Sequence, residues 1–135
     1  MIRIVLDTNV VVSALLQPLD PSAQIFLSAV SGSIQMCVSG NIYAEYEEVL
    51  STSATERPDD VIQSVLQSIR EKAIWVRPTE IVRACSDPDD DVFLECAQAA
   101  HANYLVTGNL KHFPSVWAGA QIVMPRWLLD TLMAE

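Results

Sequence analysis

The sequence predicts an α/β fold: one central, mostly parallel sheet of about five strands with helices on both faces. Three observations predict it. Short β-rich apolar runs alternate with helical stretches along the chain, the pattern of βαβ units. Half of the 135 residues are hydrophobic and 19% are charged, a composition that fills an interior. The length suits one domain, residues 1–135, and no repeat, low-complexity tract or linker divides it.

The elements follow in order. A strand is expected at Ile2 to Leu6, then a helix at Val10 to Leu16 and another at Ser22 to Ser31, entered through Pro21-Ser22. Proline suits a first helical turn, where its missing N–H is no loss. A strand at Gln35 to Val38 leads to a helix at Asn41 to Ser51, whose apolar face is Ile42, Tyr46, Val49 and Leu50. Arg57-Pro58 opens a helix running to Lys72, followed by a strand at Ile74 to Val76. The helix at Asp90 to Ala102 turns Phe93, Cys96, Ala97 and Ala100 inward. Strands at Tyr104 to Val106 and Gln121 to Val123 precede a last helix, Pro125 to Met133, whose Trp127, Leu128, Leu129 and Leu132 serve core or interface. Loops are expected at Gln17 to Pro21, Ser51 to Pro58, Arg77 to Asp89 and Thr107 to Gly119.

Composition also narrows the function. A net charge of −9 excludes binding nucleic acid through a broad basic surface. It leaves a metal-mediated route, in which clustered carboxylates hold a divalent cation and that cation attracts phosphate. Cys37, Cys85 and Cys96 lack C-x-x-C spacing and a histidine pair, so they are expected to pack rather than to form disulfides or a zinc site. No membrane-spanning run or leader pattern is apparent, and a cytoplasmic location is expected.

In parallel sheets ligands bind beyond the carboxyl ends of the strands, and polar residues gather there. Asp7 directly follows the first strand, with Thr8 and Asn9 behind it; it is either a metal ligand or a helix cap. Glu45 lies three residues after Ile42 and four before Val49, so it borders the apolar stripe, whereas Glu47 and Glu48 point away. A carboxylate turned coreward is costly unless paired or coordinated. In Asp87-Pro88-Asp89-Asp90-Asp91, four acids exceed what a helix dipole uses. Projecting the helix backward puts Asp89 and Asp90 over the inward face and Asp91 on the opposite one. Asp90 is the preferred site residue and Asp89 its expected cap. Thr107-Gly108-Asn109 follows the fourth strand, with Lys111 and His112 behind: a plain turn, or a polar corner of the site. His112 reads first as a loop histidine, since catalytic use needs a geometry that sequence does not show. Oxygen donors of this kind suit Mg2+ and phosphodiester hydrolysis.

Three segments carry a resemblance: IVLDTNVVVSALL, SGNIYAEYEEVL and DPDDDVFLECAQAAHANYLVTGNLKHF. In these the chain resembles PIN domains, in particular the toxins of bacterial and archaeal toxin–antitoxin pairs related to VapC-type ribonucleases. The resemblance implies a three-layer α/β/α fold and an acidic pocket that binds Mg2+ or Mn2+ for endonucleolytic cleavage of RNA. It implies Asp7, Glu45 and Asp90 as the three acids and Asn109 as the fourth polar position, with Thr8, Asn9 and Thr107 in support. Asn109 is a neutral residue where many relatives have aspartate, which favours one metal over two. The metal would be held by Asp7 and Asp90, with Glu45 bound directly or through water, and would activate water for in-line attack. Arg3, Lys111 and His112 are candidate RNA contacts. An antitoxin partner and a homodimer are likewise expected. The alternatives are a PIN-like module that binds RNA or protein without cutting it, and a receiver-like phosphate-handling domain.

Overall fold

The computed structural model describes residues 1–52 and 56–134. The centre of the loop expected between Ser51 and Pro58 therefore lies outside the described residues. Six strands form one sheet: β1 Arg3–Leu6, β2 Gln35–Val38, β3 Ile74–Trp75, β4 Tyr104–Val106, β5 Val116–Trp117 and β6 Ala120–Val123. Their spatial order is β3-β2-β1-β4-β6-β5, and every pairing is parallel except that of β5 with β6. Among the described residues six α-helices accompany them: α1 Thr8–Leu16, α2 Pro21–Val30, α3 Gly40–Leu50, α4 Asp59–Lys72, α5 Asp91–Ala100 and α6 Pro125–Met133.

The expected α/β sheet is present, with one strand more than expected. β5 falls inside the stretch read as a loop, Thr107 to Gly119, and is two residues long, too short to show alternation. It closes on β6 through Ala118 and Gly119, both at positive φ. The central strands carry near-continuous apolar runs because both faces are covered: Ile4, Val5 and Leu6 are wholly buried, as are Leu105 and Val106.

Several helix boundaries differ from expectation for local reasons. α1 starts at Thr8, directly after β1, so Asp7 occupies its N-cap position; its side chain makes no capping bond. The Asp90 helix starts one residue later, after a 3-10 turn at Pro88–Asp90. Asp89 is not the cap: Asp87 accepts the Asp89 N–H at 3.0 Å, because Pro88 at the first position directs the preceding aspartate onto the turn. The helix ends at Ala100, where His101 turns left-handed at φ 51°.

Asp91 does face away from the site but is buried rather than solvated. Its Oδ1 accepts the N–H groups of Ala84 and Cys85 at 3.1 and 2.8 Å, and Glu95 one turn later accepts that of Val82 at 3.0 Å. Two carboxylates of α5 thus strap the segment leading into the acidic run. The cysteines are free thiols, with Cys37 and Cys96 buried in the core. Burial pushes the Cys96 thiol up to about 12, so it packs as a neutral group.

The site's position follows from topology. β1 sits between β2 and β4, so the chain leaves it to opposite sides of the sheet. A crevice opens at such a switch point, beyond the carboxyl ends of β1 and β4. Asp7 leaves one of those ends and Thr107 the other.

Candidate active site

Asp7 and Thr107 come from the two adjacent strand ends and meet in the crevice. The Asp7 N–H donates to the Val106 carbonyl at 2.9 Å, extending the β1–β4 ladder by one residue, and Thr107 Oγ1 donates to Asp7 Oδ2 at 2.7 Å. Thr107 is wholly buried and Asp7 nearly so. Burial pushes the Asp7 carboxyl up, and Glu45 adds to this by repulsion, while Thr107, the Thr8 amide and His112 oppose it.

α3 brings the second acid from across the sheet. Ile42, Tyr43, Tyr46 and Leu50 are buried, Glu45 is half-buried, and Glu47 and Glu48 are exposed. Helical phase therefore separates the three glutamates as their spacing predicts. Glu45 Oε2 accepts the Thr8 hydroxyl, so this carboxylate is tied to the residue after Asp7. From the next residue of the helix, the Tyr46 hydroxyl donates to the Leu6 carbonyl. Tyr46 had been read only as apolar face; no feature of the sequence distinguishes it from an ordinary core aromatic. It pins the peptide immediately before Asp7.

α5 brings the third. Asp90 precedes the helix without capping it, and its Oδ2 is buried with no hydrogen-bond partner among the described residues. Burial pushes the Asp90 carboxyl up, and Asp7 raises it further; His112 lowers it. His112 Nδ1 lies 3.4 Å from that oxygen. The ring is therefore part of the site's edge, which its position in a predicted loop did not reveal.

The fourth corner is Asn109. Its N–H donates to Thr107 Oγ1 at 3.0 Å and its side chain meets His112 Nε2 at 2.9 Å. Asn9 supports the same loop, accepting the Gly108 N–H at 3.3 Å; a Cβ on Gly108 would sit 3.7 Å from that side chain. Lys111 is exposed beside His112.

Arg3 is not gathered with the rest. It stands at the amino end of β1, where its guanidinium donates to the Ala100 carbonyl at 2.9 Å and to Gln35 at 3.3 Å. Lys111 and His112 lie on the rim itself.

Among the described residues, no three His, Cys, Asp or Glu side chains form a ready-made metal cage. The residues that could hold a cation are Asp7 and Asp90, with Glu45 reaching it through water. Two features fit a hard divalent ion that keeps much of its hydration: the partnerless oxygen of Asp90, and the mutual repulsion of Asp7 and Asp90. The acids do not line the apolar groove of about 330 Å³ beside β5 and β6, which Leu110, Val116, Ile122, Met124 and Trp127 border. Chemistry, not hollow volume, marks the site.

Comparison with known proteins bears on the family and the fold. A family model described as PIN domain matches residues 3–111, which include Asp7, Thr8, Glu45, Tyr46, Asp90, Thr107 and Asn109 but stop one residue before His112. No curated protein matches the chain. Among solved structures, VapBC2 from Rickettsia felis, bound to a DNA fragment from their promoter, is similar with a TM-score of 0.60 at 17% identity, covering 91% of this chain and 98% of that one. PAE2754 from Pyrobaculum aerophilum is similar with a TM-score of 0.63 at 17% identity, covering 99% of this chain and 91% of that one. At such identity these two structures speak to the fold, and the family match covers most of the sequence: the chain belongs to the PIN domain family.

Proposed function

We propose that this chain is a divalent-metal-dependent endoribonuclease and the toxin of a toxin–antitoxin pair. The observation that carries the reading is the Asp90 Oδ2 atom, buried without a hydrogen-bond partner among the described residues, in a half-buried carboxylate repelled by the buried Asp7, two acids whose neighbourhood penalises their charge. A fold retains such a pair at a cost, and a bound cation repays it.

Asp7 and Asp90 would hold Mg2+ or Mn2+, with Glu45 engaged through water. Such an ion lowers the pKa of water and neutralises charge developing on a phosphodiester. The chain's own residues prepare the site. Thr107 fixes the Asp7 carboxylate, Thr8 fixes Glu45, and Tyr46 fixes the peptide that carries Asp7. Asn109 contributes no charge, so the site supports one metal better than two. A chain of net charge −9 approaches RNA best when that pocket is neutralised, with Lys111 offered at the rim.

PIN family membership supports nuclease chemistry, and the similarity to VapBC2 supports an antitoxin as partner. A homodimer and a cytoplasmic location complete the proposal; among the described residues, no single helix is long and apolar enough to cross a membrane. The test is cleavage of single-stranded and structured RNAs after EDTA treatment and stepwise return of Mg2+ or Mn2+. Cleavage that appears only with metal supports the enzyme. RNA binding without cleavage at any metal concentration would instead favour the non-cutting module.

A further inference from the structure

The neutral residue at position 109 has a definite partner, and that partner lies close to the Asp90 oxygen that has no hydrogen-bond partner among the described residues. Asn109 Nδ2 lies 2.9 Å from His112 Nε2, and His112 Nδ1 lies 3.4 Å from Asp90 Oδ2. We infer that Asn109 acts on the site through His112, holding the neutral imidazole with its proton on Nδ1, the nitrogen nearest Asp90 Oδ2, so that His112 is a positioning residue for that carboxylate.

The argument is one of donors and acceptors. An amide nitrogen only donates, so Nε2 accepts, and a neutral imidazole that accepts at Nε2 carries its hydrogen on Nδ1. Turning the Asn109 amide over reverses the ring. Its oxygen would then take an Nε2–H and leave a bare Nδ1 lone pair 3.4 Å from Asp90 Oδ2, which has no hydrogen-bond partner among the described residues. Of the two neutral arrangements, only the first sets an N–H rather than a lone pair beside the buried oxygen. A carboxylate at position 109 accepts and never donates, so it draws the proton to Nε2 and deprives Asp90 of a neutral donor. The amide is thus the functional group this corner requires.

Asn109 is itself held in place. Its N–H donates to Thr107 Oγ1, which donates to Asp7 Oδ2, so one hydrogen-bonded chain runs from Asp7 through Thr107 and Asn109 to His112, whose Nδ1 stands 3.4 Å from Asp90 Oδ2. The two candidate ligands are spaced by that chain. Outer partners of this kind orient ligating groups, and losing one typically weakens metal binding about 10–100-fold. The catalytic consequence rests on the proposed nuclease reading; the ring's tautomer does not.

Long-range 15N–1H correlation of the imidazoles in the metal-free protein tests the tautomer, in alkaline buffer that keeps the rings neutral. His112→Ala assigns the signal, since His101 is the other histidine. Wild type is expected to show Nδ1–H at His112, and Asn109→Asp, whose side chain only accepts, to move the proton to Nε2. Calorimetric Mn2+ titration is expected to give a Kd about 10-fold higher in Asn109→Ala and in His112→Ala, with no further loss in the double variant. An Nε2–H ring in wild type, a tautomer unmoved by Asn109→Asp, or a Kd unchanged in Asn109→Ala and His112→Ala overturns the inference. If the tautomer and Kd behave as expected while wild type fails to cleave RNA, the nuclease reading falls and this inference stands.

Discussion

Thr107 Oγ1 donates a 2.7 Å hydrogen bond to Asp7 Oδ2, joining the ends of two adjacent parallel strands across 100 residues of sequence. The same hydroxyl accepts the Asn109 N–H at 3.0 Å. Thr107→Val keeps the shape and the β-branched backbone preference while removing both bonds. A bond to a charged group contributes about 1.5–3 kcal/mol and an orphaned buried donor costs a similar amount, so a loss of roughly 2–4 kcal/mol is expected in urea unfolding. RNA cleavage should fall with it, about 10–100-fold. A variant as stable as wild type would show that the threonine is only core.

Asp90→Asn separates stability from activity. Both Asp7 and Asp90 have carboxyls raised above the ordinary value of 3.8. For a raised acid, the folded state holds its proton after the unfolded chain has released it. Stability is therefore highest at low pH, falls as pH rises from 3.8 through the raised value, and stays reduced above it. Metal-free Asp90→Asn should lose less Tm than wild type between about pH 4 and pH 7, and be the more stable protein at neutrality. Saturating Mn2+ should raise the Tm of wild type but not of the variant. Parallel Tm–pH curves would contradict this.

Asp91 carries the opposite sign. The Ala84 and Cys85 N–H groups hold its carboxyl below 3.8 against the effect of burial, so its contribution is present at neutral pH and is lost as pH falls through the lowered value. Asp91→Ala leaves two amides without their acceptor and should cost about 2–4 kcal/mol at pH 7, a difference that shrinks in acid. Chemical denaturation at the two pH values reads it.

The glutamates of α3 make a comparison within one helix. Glu45→Gln should lower cleavage about 10–100-fold, since it removes the charge that Thr8 anchors beside Asp7. Glu47→Gln and Glu48→Gln, both on the exposed face, should leave it unchanged within about twofold. Equal losses in all three would mean that the helix presents general negative charge to the assay rather than one placed carboxylate.

Much of this was legible in the sequence because its signals are periodic. Helical phase placed Glu45 apart from Glu47 and Glu48, and β-rich runs located β2 and β4 to the residue. The strand-end rule then brought Asp7, Asp90 and Asn109 to one rim. What escaped was aperiodic or depended on one side chain's reach. β5 is two residues of edge pairing, the Asp87 cap depends on a proline-started 3-10 turn, and Asp91 is buried by a loop whose path has no pattern. Tyr46 and His112 act through a hydroxyl and a ring nitrogen at particular distances, which residue identity does not encode.

The central claim is that Asp7 belongs to a metal-dependent cleaving site, and one paired assay addresses it. Wild type and Asp7→Asn, purified in parallel and matched by circular dichroism, are titrated with Mn2+ on the same labelled RNA. The account predicts metal-dependent cleavage by wild type and a loss greater than about 100-fold in the variant, beyond that of an outer partner. Equal cleavage by the two proteins would contradict it and assign the activity to a contaminant.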